Sequence, residues 1–451
     1  MILFQSITPH LPPKKIKEIL FRFKNSQWIY PVLLIGSALA VYFPILGNDF
    51  QYSWDDQWQV MNEFTEGGIN ALNLKLIFTS ILHGQYFPVA GLSYLLLYNL
   101  VGYNPFYFHL MCLLLHIACV YLVFVLTIRL YRQTKRTHNF INDNNITLIA
   151  FITALIFAIH PLNVESIAWI SAMKVLIYAF FYMLATLTYL SFLSKGNIFY
   201  YILTVLLLAL SLGGKEQAVT FPVWLLLMYY IWGYDLKSKK VWIQTIPFFL
   251  LSAFFGLIVV KIAGRNDYTA IDLYPLWQRL VFACYSLVEY ITKFVFPYKL
   301  LYIYPFPMAS GEKLPDWLLV YPPLVLIFVV ALQNQLLKKP YLFGILFFLL
   351  HIAICLHIVP LSRLAIVADR YMYLPCIGLA FIAAYFFVLV KEHWHGWKRT
   401  VSIITVICLC LYWGIFANLR SRKWHDSDTL QKEFMEMSKK EKVMNIENSE
   451  K

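Results

Sequence analysis

Residues 29–46 read IYPVLLIGSALAVYFPIL, an uncharged apolar stretch almost as long as a helix that crosses a lipid bilayer. Residues 51–56, QYSWDD, follow a few positions later and end in two adjacent carboxylates. The whole chain is 60% hydrophobic and only 14% charged, and its mean hydropathy is +0.63. Soluble proteins carry roughly 25% charged residues, so this composition indicates a polytopic membrane protein.

Further apolar runs follow the first along the chain, and their number predicts an all-α bundle of about 11 transmembrane spans with interfacial helices in its outer loops. One more apolar segment, 280–297, carries Glu289 and Lys293 four residues apart on one helical face. We expect this segment to be re-entrant or interfacial. The predicted spans are 29–46, 106–128, 146–160, 175–193, 198–212, 218–233, 243–260, 317–332, 341–358, 371–390 and 400–417.

Clusters of Lys and Arg between the apolar runs predict the orientation, because positive loops stay in the cytoplasm. All of these clusters fall on the cytoplasmic side of the membrane only if 280–297 does not cross it. The formal net charge of +13 therefore reflects topology, and no nucleic-acid partner is expected. The predicted parts are a basic cytoplasmic N-terminus (1–27), a membrane-embedded module (28–417) with two long outer loops (47–105 and 261–316), and an outer helical tail (418–451). The N-terminal region is expected to be a retained anchor and not a cleaved signal peptide.

Acids and bases from four separate loops fall on the predicted outer face. A carboxylate at a membrane surface can take a proton from a hydroxyl group. Lys or Arg nearby can hold a phosphate and stabilise it as it leaves. The pattern favours attack by an acceptor hydroxyl on a sugar whose leaving group is a lipid-linked phosphate. The residues are Asp55, Asp56, His160, Glu165, Lys174, Lys215, Glu216, Asp369 and Arg370.

Each of these residues also has a structural interpretation. Asp55 and Asp56 could cap an interfacial helix, and His160 could shape the loop before Pro161. The remaining alternatives are ion pairs of Glu165 with Lys174, Lys215 with Glu216, and Asp369 with Arg370. Gly213-Gly214 at the end of a span would allow a ligand to approach the backbone closely. The seven Cys residues have no metal or redox spacing and are expected to be small buried hydrophobic groups.

Six short motifs occur in a characteristic order and together cover nearly the whole chain. On them the chain resembles the membrane glycosyltransferases of the GT-C superfamily, most closely the protein O-mannosyltransferases that carry tetratricopeptide repeats. The motifs are Trp54-Asp55-Asp56 with Asn62, Gly102-Tyr103-Asn104-Pro105 with His109 and His116, His160-Pro161 with Glu165, Gly214-Lys215-Glu216 with Pro222, Ala368-Asp369-Arg370-Tyr371 with Tyr373-Leu374-Pro375, and Trp424 with Thr429-Leu430.

The resemblance implies a GT-C type helical bundle, a polyprenyl- or dolichyl-phosphate sugar donor and inversion at the sugar. It implies that Asp55 or Asp56 is the catalytic base, and that Glu165 is a second acid near the acceptor or near a possible divalent metal. Lys174, Lys215 and Arg370 become candidates for binding the donor phosphate. The chain differs from the family in lacking the repeats within its 451 residues, and in having Lys174 and Gly214 where Arg and Ser are frequent.

The sequence therefore predicts an integral-membrane glycosyltransferase that moves a sugar such as mannose to a protein Ser or Thr, or to an envelope glycan or lipid. The alternatives are a transporter or flippase of a lipid-linked substrate and a non-catalytic scaffold. Transporters tend to carry inverted repeats and broken helices at mid-bilayer, and neither is evident in the sequence. The richness in Lys, Asn and Ile favours a bacterial inner membrane with a periplasmic site. In a eukaryote the site would face the ER lumen.

Overall fold

The computed structural model of the protein describes residues 28–135, 143–263, 274–298, 300–309, 311–358 and 365–435. These residues form helices joined by turns and short loops, with two isolated β-bridges and no strand among them. The predicted all-α class is confirmed. The predicted basic N-terminus, 1–27, and the end of the predicted tail, 436–451, lie outside the described residues.

Seventeen α-helices are bounded within the described part of the chain, and short 3-10 turns join several of them. Beyond the last, residues 427–435 are also helical. The helices are α1 (Ile29–Tyr42), α2 (Asp56–Gln59), α3 (Glu63–Glu66), α4 (Ala71–Thr79), α5 (Pro88–Val101), α6 (Pro105–Lys135), α7 (Asp143–Ile159), α8 (Val164–Ala168), α9 (Met173–Lys195), α10 (Ile198–Gly214), α11 (Phe221–Ile231), α12 (Lys239–Ala263), α13 (Leu276–Val295), α14 (Tyr321–Leu336), α15 (Lys339–Ile352), α16 (Cys376–His393) and α17 (Gly396–Lys423).

Seven helical segments of the described residues are long and apolar enough to cross a membrane, or eight if the bent pair α7 and α8 is counted as one span. The predicted apolar runs all fall on helices, but several of these helices are short, so the predicted count of about 11 spans is not confirmed. The ambiguous segment 280–297 falls on α13, which has 20 residues but is not among the segments that are both long and apolar enough to cross a membrane. Its interfacial placement remains a prediction.

Two of the membrane-length helices, α12 and α14, expose apolar side chains over much of their surface. Leu250 and Leu257 on α12 are 67% and 70% exposed, and Ile327 on α14 is 64% exposed. Continuous apolar surfaces of this kind are unfavourable in water and favourable against lipid tails. The helices therefore support an integral membrane protein, as the composition predicts.

Close backbone packing holds the interior of the bundle together. The Ser211 hydroxyl of α10 donates to the Tyr178 carbonyl of α9 at 2.8 Å. A Cβ atom on Gly214 would lie 3.0 Å from the Tyr178 amide nitrogen, and one on Gly378 would lie 2.4 Å from the Gly344 carbonyl oxygen. Glycine thus allows α9 to meet α10, and α15 to meet α16, at distances that a side chain would prevent.

A bend in the chain builds the surface on which the candidate residues lie. Helix α7 ends at Ile159, and the axis turns by 52° before α8. Proline at 161 fits the first position of the new turn because its missing amide hydrogen would have no partner there. The His160 ring accepts a hydrogen bond from the Leu162 amide at 3.2 Å and caps this turn. Helix α8 and the 3-10 turn Ile170–Ala172 then lead into α9.

Candidate active site

Asp56 is fully buried at the start of α2. Its Oδ2 accepts a hydrogen bond from the Gln51 amide at 2.8 Å, and its Oδ1 accepts from the Ser171 amide at 2.9 Å and from the Ser171 hydroxyl. Burial raises the pKa of the Asp56 carboxyl to about 6, although the Ser171 and Gln51 hydrogen bonds act to lower it. Because protein donors occupy both oxygens, Asp56 fixes the loop that follows α1 to the turn before α9.

Asp55 is partly exposed, in contrast to its neighbour. The Trp58 indole donates to Oδ1 at 3.1 Å, and the Gln59 side-chain amide donates to Oδ2 at 3.1 Å. Burial raises the pKa of Asp55 above its usual value, and the charges of Lys174 and Arg370 oppose that rise. Asp55 is therefore an oriented carboxylate that solvent reaches and that faces two cations, the arrangement expected of a general base.

Lys174 extends from the first turn of α9 toward the first outer loop. Its ammonium donates to the side-chain oxygens of Gln59 and Gln85, both at 2.6 Å, and it lies 5.0 Å from the centre of the Phe87 ring. Gln59 therefore contacts both Lys174 and Asp55, the predicted cation and the predicted base. The charge of Glu216, another predicted site residue, also acts on Lys174.

A second cationic group lies around the Tyr371 ring. The Lys215 ammonium is 5.5 Å from the centre of this ring, and the Arg370 guanidinium is 5.1 Å from it. Lys215 is 5% exposed, and within the described part of the chain its ammonium has no hydrogen-bond or ion-pair partner. A cation that no carboxylate neutralises can bind an external anion such as a phosphate.

Glu165 is paired with Arg370 and not with Lys174, the partner that the sequence suggested. The Arg370 guanidinium donates to Glu165 Oε1 at 2.5 Å, and the Arg370 amide donates to Oε2 at 2.8 Å. Burial acts to lower the pKa of Arg370, but the Glu165 carboxylate outweighs it and leaves the pKa above its ordinary value. Glu165 thus holds Arg370 in place, while the Arg370 side chain as a whole is 23% exposed.

Asp369 points away from Arg370 and forms a different ion pair. Arg420, near the end of α17, approaches the Asp369 carboxylate at 2.7 Å, and the Tyr304 hydroxyl donates to it at 2.9 Å. Burial raises the pKa of Asp369, and Arg420 opposes the rise. The predicted Asp369–Arg370 pair is absent, and Asp369 connects α17 to the turn that carries Arg370.

Two other predicted features have protein partners in the structure. Besides accepting from the Leu162 amide, the His160 ring donates from Nε2 to the Phe294 carbonyl at 2.9 Å. Both ring nitrogens therefore have hydrogen-bond partners within the protein. The close approach at Gly213-Gly214 is to Val89 and Tyr178, not to an open space for a ligand.

The described residues contain no group of three or more His, Cys, Asp or Glu side chains placed to hold a metal ion. Glu165, the residue expected near a possible metal, uses both oxygens for Arg370. The described residues do not fit a divalent metal.

Sequence reasoning missed several residues that shape this site. Gln59 follows Asp55 by four residues, the spacing that lets two side chains meet on a helix, and this was the available signal. Gln85 lies at the end of a tight turn, next to His83 and Gly84, whose φ angles of 44° and 73° are positive. Contacts such as those of Ser171 and Arg420 join residues more than 50 positions apart, and no local pattern predicts them.

The arrangement defines a class of site: one accessible carboxylate, three cations and a structural carboxylate at one end of a bundle of apolar helices. The carboxylate can accept a proton, and the cations can bind a phosphate, in surroundings that apolar side chains shield from water. No protein-family model matches the chain.

The chain is similar to curated proteins at low identity. It is 28% identical over 234 residues to the human protein O-mannosyl-transferase TMTC1, and the aligned region covers 50% of this chain and 23% of that protein. It is 24% identical over 405 residues to the protein O-mannosyl-transferase F38B6.6 of Caenorhabditis elegans, and the aligned region covers 84% of this chain and 54% of that protein. A third match, at 28% over 141 residues, is to mouse TMTC3. The chain thus spans about half or less of these relatives' lengths.

Proposed function

We propose that the protein is an integral-membrane glycosyltransferase that moves a hexose, with mannose as the first candidate, from a polyprenyl-phosphate donor to a hydroxyl acceptor. The names of the similar proteins favour mannose and a protein acceptor. An envelope glycan or lipid is the alternative acceptor. The observation that carries the proposal is one accessible carboxylate, Asp55, that faces Lys174 and Arg370, with Lys215 beside Arg370 at the Tyr371 ring.

Asp55 is the proposed base. It takes the proton of the acceptor hydroxyl as the oxygen attacks the anomeric carbon of the sugar. A pKa raised by burial makes the carboxylate a better proton acceptor than an exposed aspartate. Hydrogen bonds from Trp58 and Gln59 fix its direction. Asp56, which is fully buried and accepts three hydrogen bonds from protein groups, is proposed to position the loop and not to exchange protons.

The cations act on the other side of the sugar. As the bond between the anomeric carbon and the phosphate oxygen breaks, the phosphate goes from one negative charge toward two. Cations beside it therefore stabilise the transition state more than the bound donor. Lys215 and Arg370 are the proposed phosphate ligands, and Lys174 is the cation closest to the base. Attack opposite to the leaving phosphate inverts the anomeric centre.

The apolar helices around the site are proposed to hold the polyprenyl tail within the bilayer. The site is proposed to face the outer side of the membrane. The basic clusters at Lys237 and Lys338 are predicted to lie on the opposite, cytoplasmic side, because positive loops stay in the cytoplasm. In bacteria this side is the periplasm, and in eukaryotes it is the ER lumen. A transporter or scaffold role has no specific support in the site.

The test is transfer by the purified protein in nanodiscs, with radiolabelled polyprenyl-phosphate mannose and polyprenyl-phosphate glucose as donors. Acceptors are a Ser/Thr peptide library, the same library with Ala at each Ser and Thr, and an envelope extract. We expect labelled peptide only with the Ser/Thr library. Label in the extract alone would replace the protein acceptor with a glycan or lipid. No labelled product with any donor would overturn the proposed function.

A further inference from the structure

The C-terminal segment 424–435, called the strap below, lies against the first outer loop, close to Asp55. The Asp49 amide donates to the His425 carbonyl at 2.7 Å, and the Ser53 amide donates to the Ser427 hydroxyl at 3.1 Å. The segment is thus hydrogen-bonded to residues on both sides of position 51, just before the proposed base.

One route from the strap leads to the base. The Gln51 side chain, 1% exposed, donates to the Trp424 carbonyl at 2.8 Å. The Gln51 amide donates in turn to the Asp56 carboxylate at 2.8 Å. Asp56 is the immediate neighbour of Asp55 and is bonded to Ser171 at the turn before α9. Movement of the Trp424 backbone would therefore shift the loop that carries the base.

A second route leads to the phosphate side of the site. The Trp424 ring, fully buried, stacks on the Trp169 ring with centroids 5.9 Å apart and planes 25° apart. The Arg370 guanidinium also lies against the Trp169 ring, 5.4 Å from its centre. Neither indole nitrogen has a hydrogen-bond partner among the described residues, so the contact is made by ring faces alone.

The strap is itself fixed to the bundle. Glu433 accepts from the Tyr302 hydroxyl at 2.6 Å and pairs with Lys423 at 2.5 Å. Arg420, one turn before Trp424, forms the buried ion pair with Asp369. The strap is therefore held at both ends and can transmit a constraint to the site, which a loosely attached tail could not do.

We infer that Trp424 is a positioning residue that sets two geometries at once: its carbonyl fixes the base through Gln51, and its ring fixes Arg370 through Trp169. The inference rests on the proposed function, because it assigns the base and the phosphate ligand as proposed above. It adds a segment far from the first outer loop in sequence, and it predicts that the two routes can be separated by mutation.

The experiment measures kcat and donor KM for Gln51→Leu, Trp424→Ala, Trp424→Phe and the control Ser427→Ala, which removes one exposed contact of the strap. Gln51→Leu should lower kcat about 10- to 100-fold with donor KM within about twofold, since only the base is displaced. Trp424→Ala should raise donor KM by roughly 10-fold, and Trp424→Phe should restore it because a ring is retained. Ser427→Ala should match the wild type.

Hydrogen exchange of the same proteins separates this inference from the proposed function. Gln51→Leu should speed exchange of amides 51–56, and Trp424→Ala should speed exchange at 166–172 and 369–372, even if the wild type transfers no sugar. A merely structural role predicts that all the variants lower kcat and raise KM together, in proportion to lost thermal stability. That result, or unchanged exchange in both regions, would overturn the inference.

Discussion

Asp55 and Asp56 are adjacent in the chain, and their surroundings separate their roles. Asp56 accepts three hydrogen bonds from protein groups in a fully buried position. Asp55 is reached by solvent and faces Lys174 and Arg370. The sequence identifies the pair but does not show which aspartate has which role, because the buried position of Asp56 depends on its contact with Ser171, 115 residues away.

The Lys215 ammonium supports a prediction that distinguishes a ligand site from a structural contact. Replacing Lys215 with Met should weaken binding of polyprenyl phosphate about 10- to 100-fold, the effect of losing one charge-assisted hydrogen bond. The melting temperature should change little, because the Lys215 ammonium has no hydrogen bond or ion pair with another described residue to lose. The control is Lys195→Met, which removes an exposed lysine on α9. Lower stability with unchanged binding would show a structural lysine instead.

The two aspartates also predict how activity depends on pH. The proposed base works when ionised, so kcat/KM should fall as pH is lowered through the pKa values of the Asp55–Asp56 pair, that of Asp56 being about 6. Each negative charge raises the pKa of the other carboxyl. Asp56→Asn should therefore lower the pKa of Asp55 and move the acidic limb of the profile to lower pH.

The matched control for the pH profile is Glu63→Gln, an exposed carboxylate of the same loop. It should leave the acidic limb where it is in the wild type. An acidic limb that moves to higher pH in Asp56→Asn would contradict the assignment of the two roles.

At the scale of elements, the junction of α9 and α10 depends on Gly214. A Cβ at this position would lie 3.0 Å from the Tyr178 amide and 3.1 Å from the Ile177 side chain, so the helices would have to separate. Gly214→Ala should lower the free energy of unfolding by about 1–3 kcal/mol. Gly36→Ala is the control, because a Cβ on Gly36 would meet nothing within 4 Å. Thermal unfolding in detergent measures both, and equal melting temperatures would contradict the packing argument.

The elements themselves were largely predictable from the sequence. Apolar runs of near-bilayer length form helices because the backbone must satisfy its hydrogen bonds internally in lipid. The pairings between elements were not predictable. The sequence offers Lys174, nine residues away, as a possible ion-pair partner of Glu165, whereas Glu165 binds Arg370, 205 residues away. Only the folded bundle brings these turns to one end, and one sequence contains no record of such long-range pairs.

At the scale of the whole molecule, the proposed orientation places residues 47–105 outside and Lys237 inside. In a variant with Cys408, the exposed native cysteine, changed to Ser, a cysteine at Ser53 should react with a membrane-impermeant maleimide on intact cells. A cysteine at Lys237 should react only after permeabilisation. Labelling of Lys237→Cys from outside would reverse the topology and place the site in the cytoplasm.

In the proposed function, the loop after α1 supplies the base and two turns supply cations. The activity is expected to depend most on Asp55, because Asp56, Glu165 and Asp369 are buried against protein partners whereas Asp55 is partly exposed. Removing the Asp55 charge should abolish the chemical step without removing the groups that bind the donor phosphate.

The most direct measurement is therefore the rate of mannose transfer from radiolabelled polyprenyl-phosphate mannose to a Ser/Thr peptide by wild type and Asp55→Asn, with donor binding measured on the same samples. The account predicts that Asp55→Asn lowers kcat about 10²- to 10⁴-fold and leaves the dissociation constant for polyprenyl phosphate within about twofold of the wild-type value. Transfer by Asp55→Asn at the wild-type rate would contradict it.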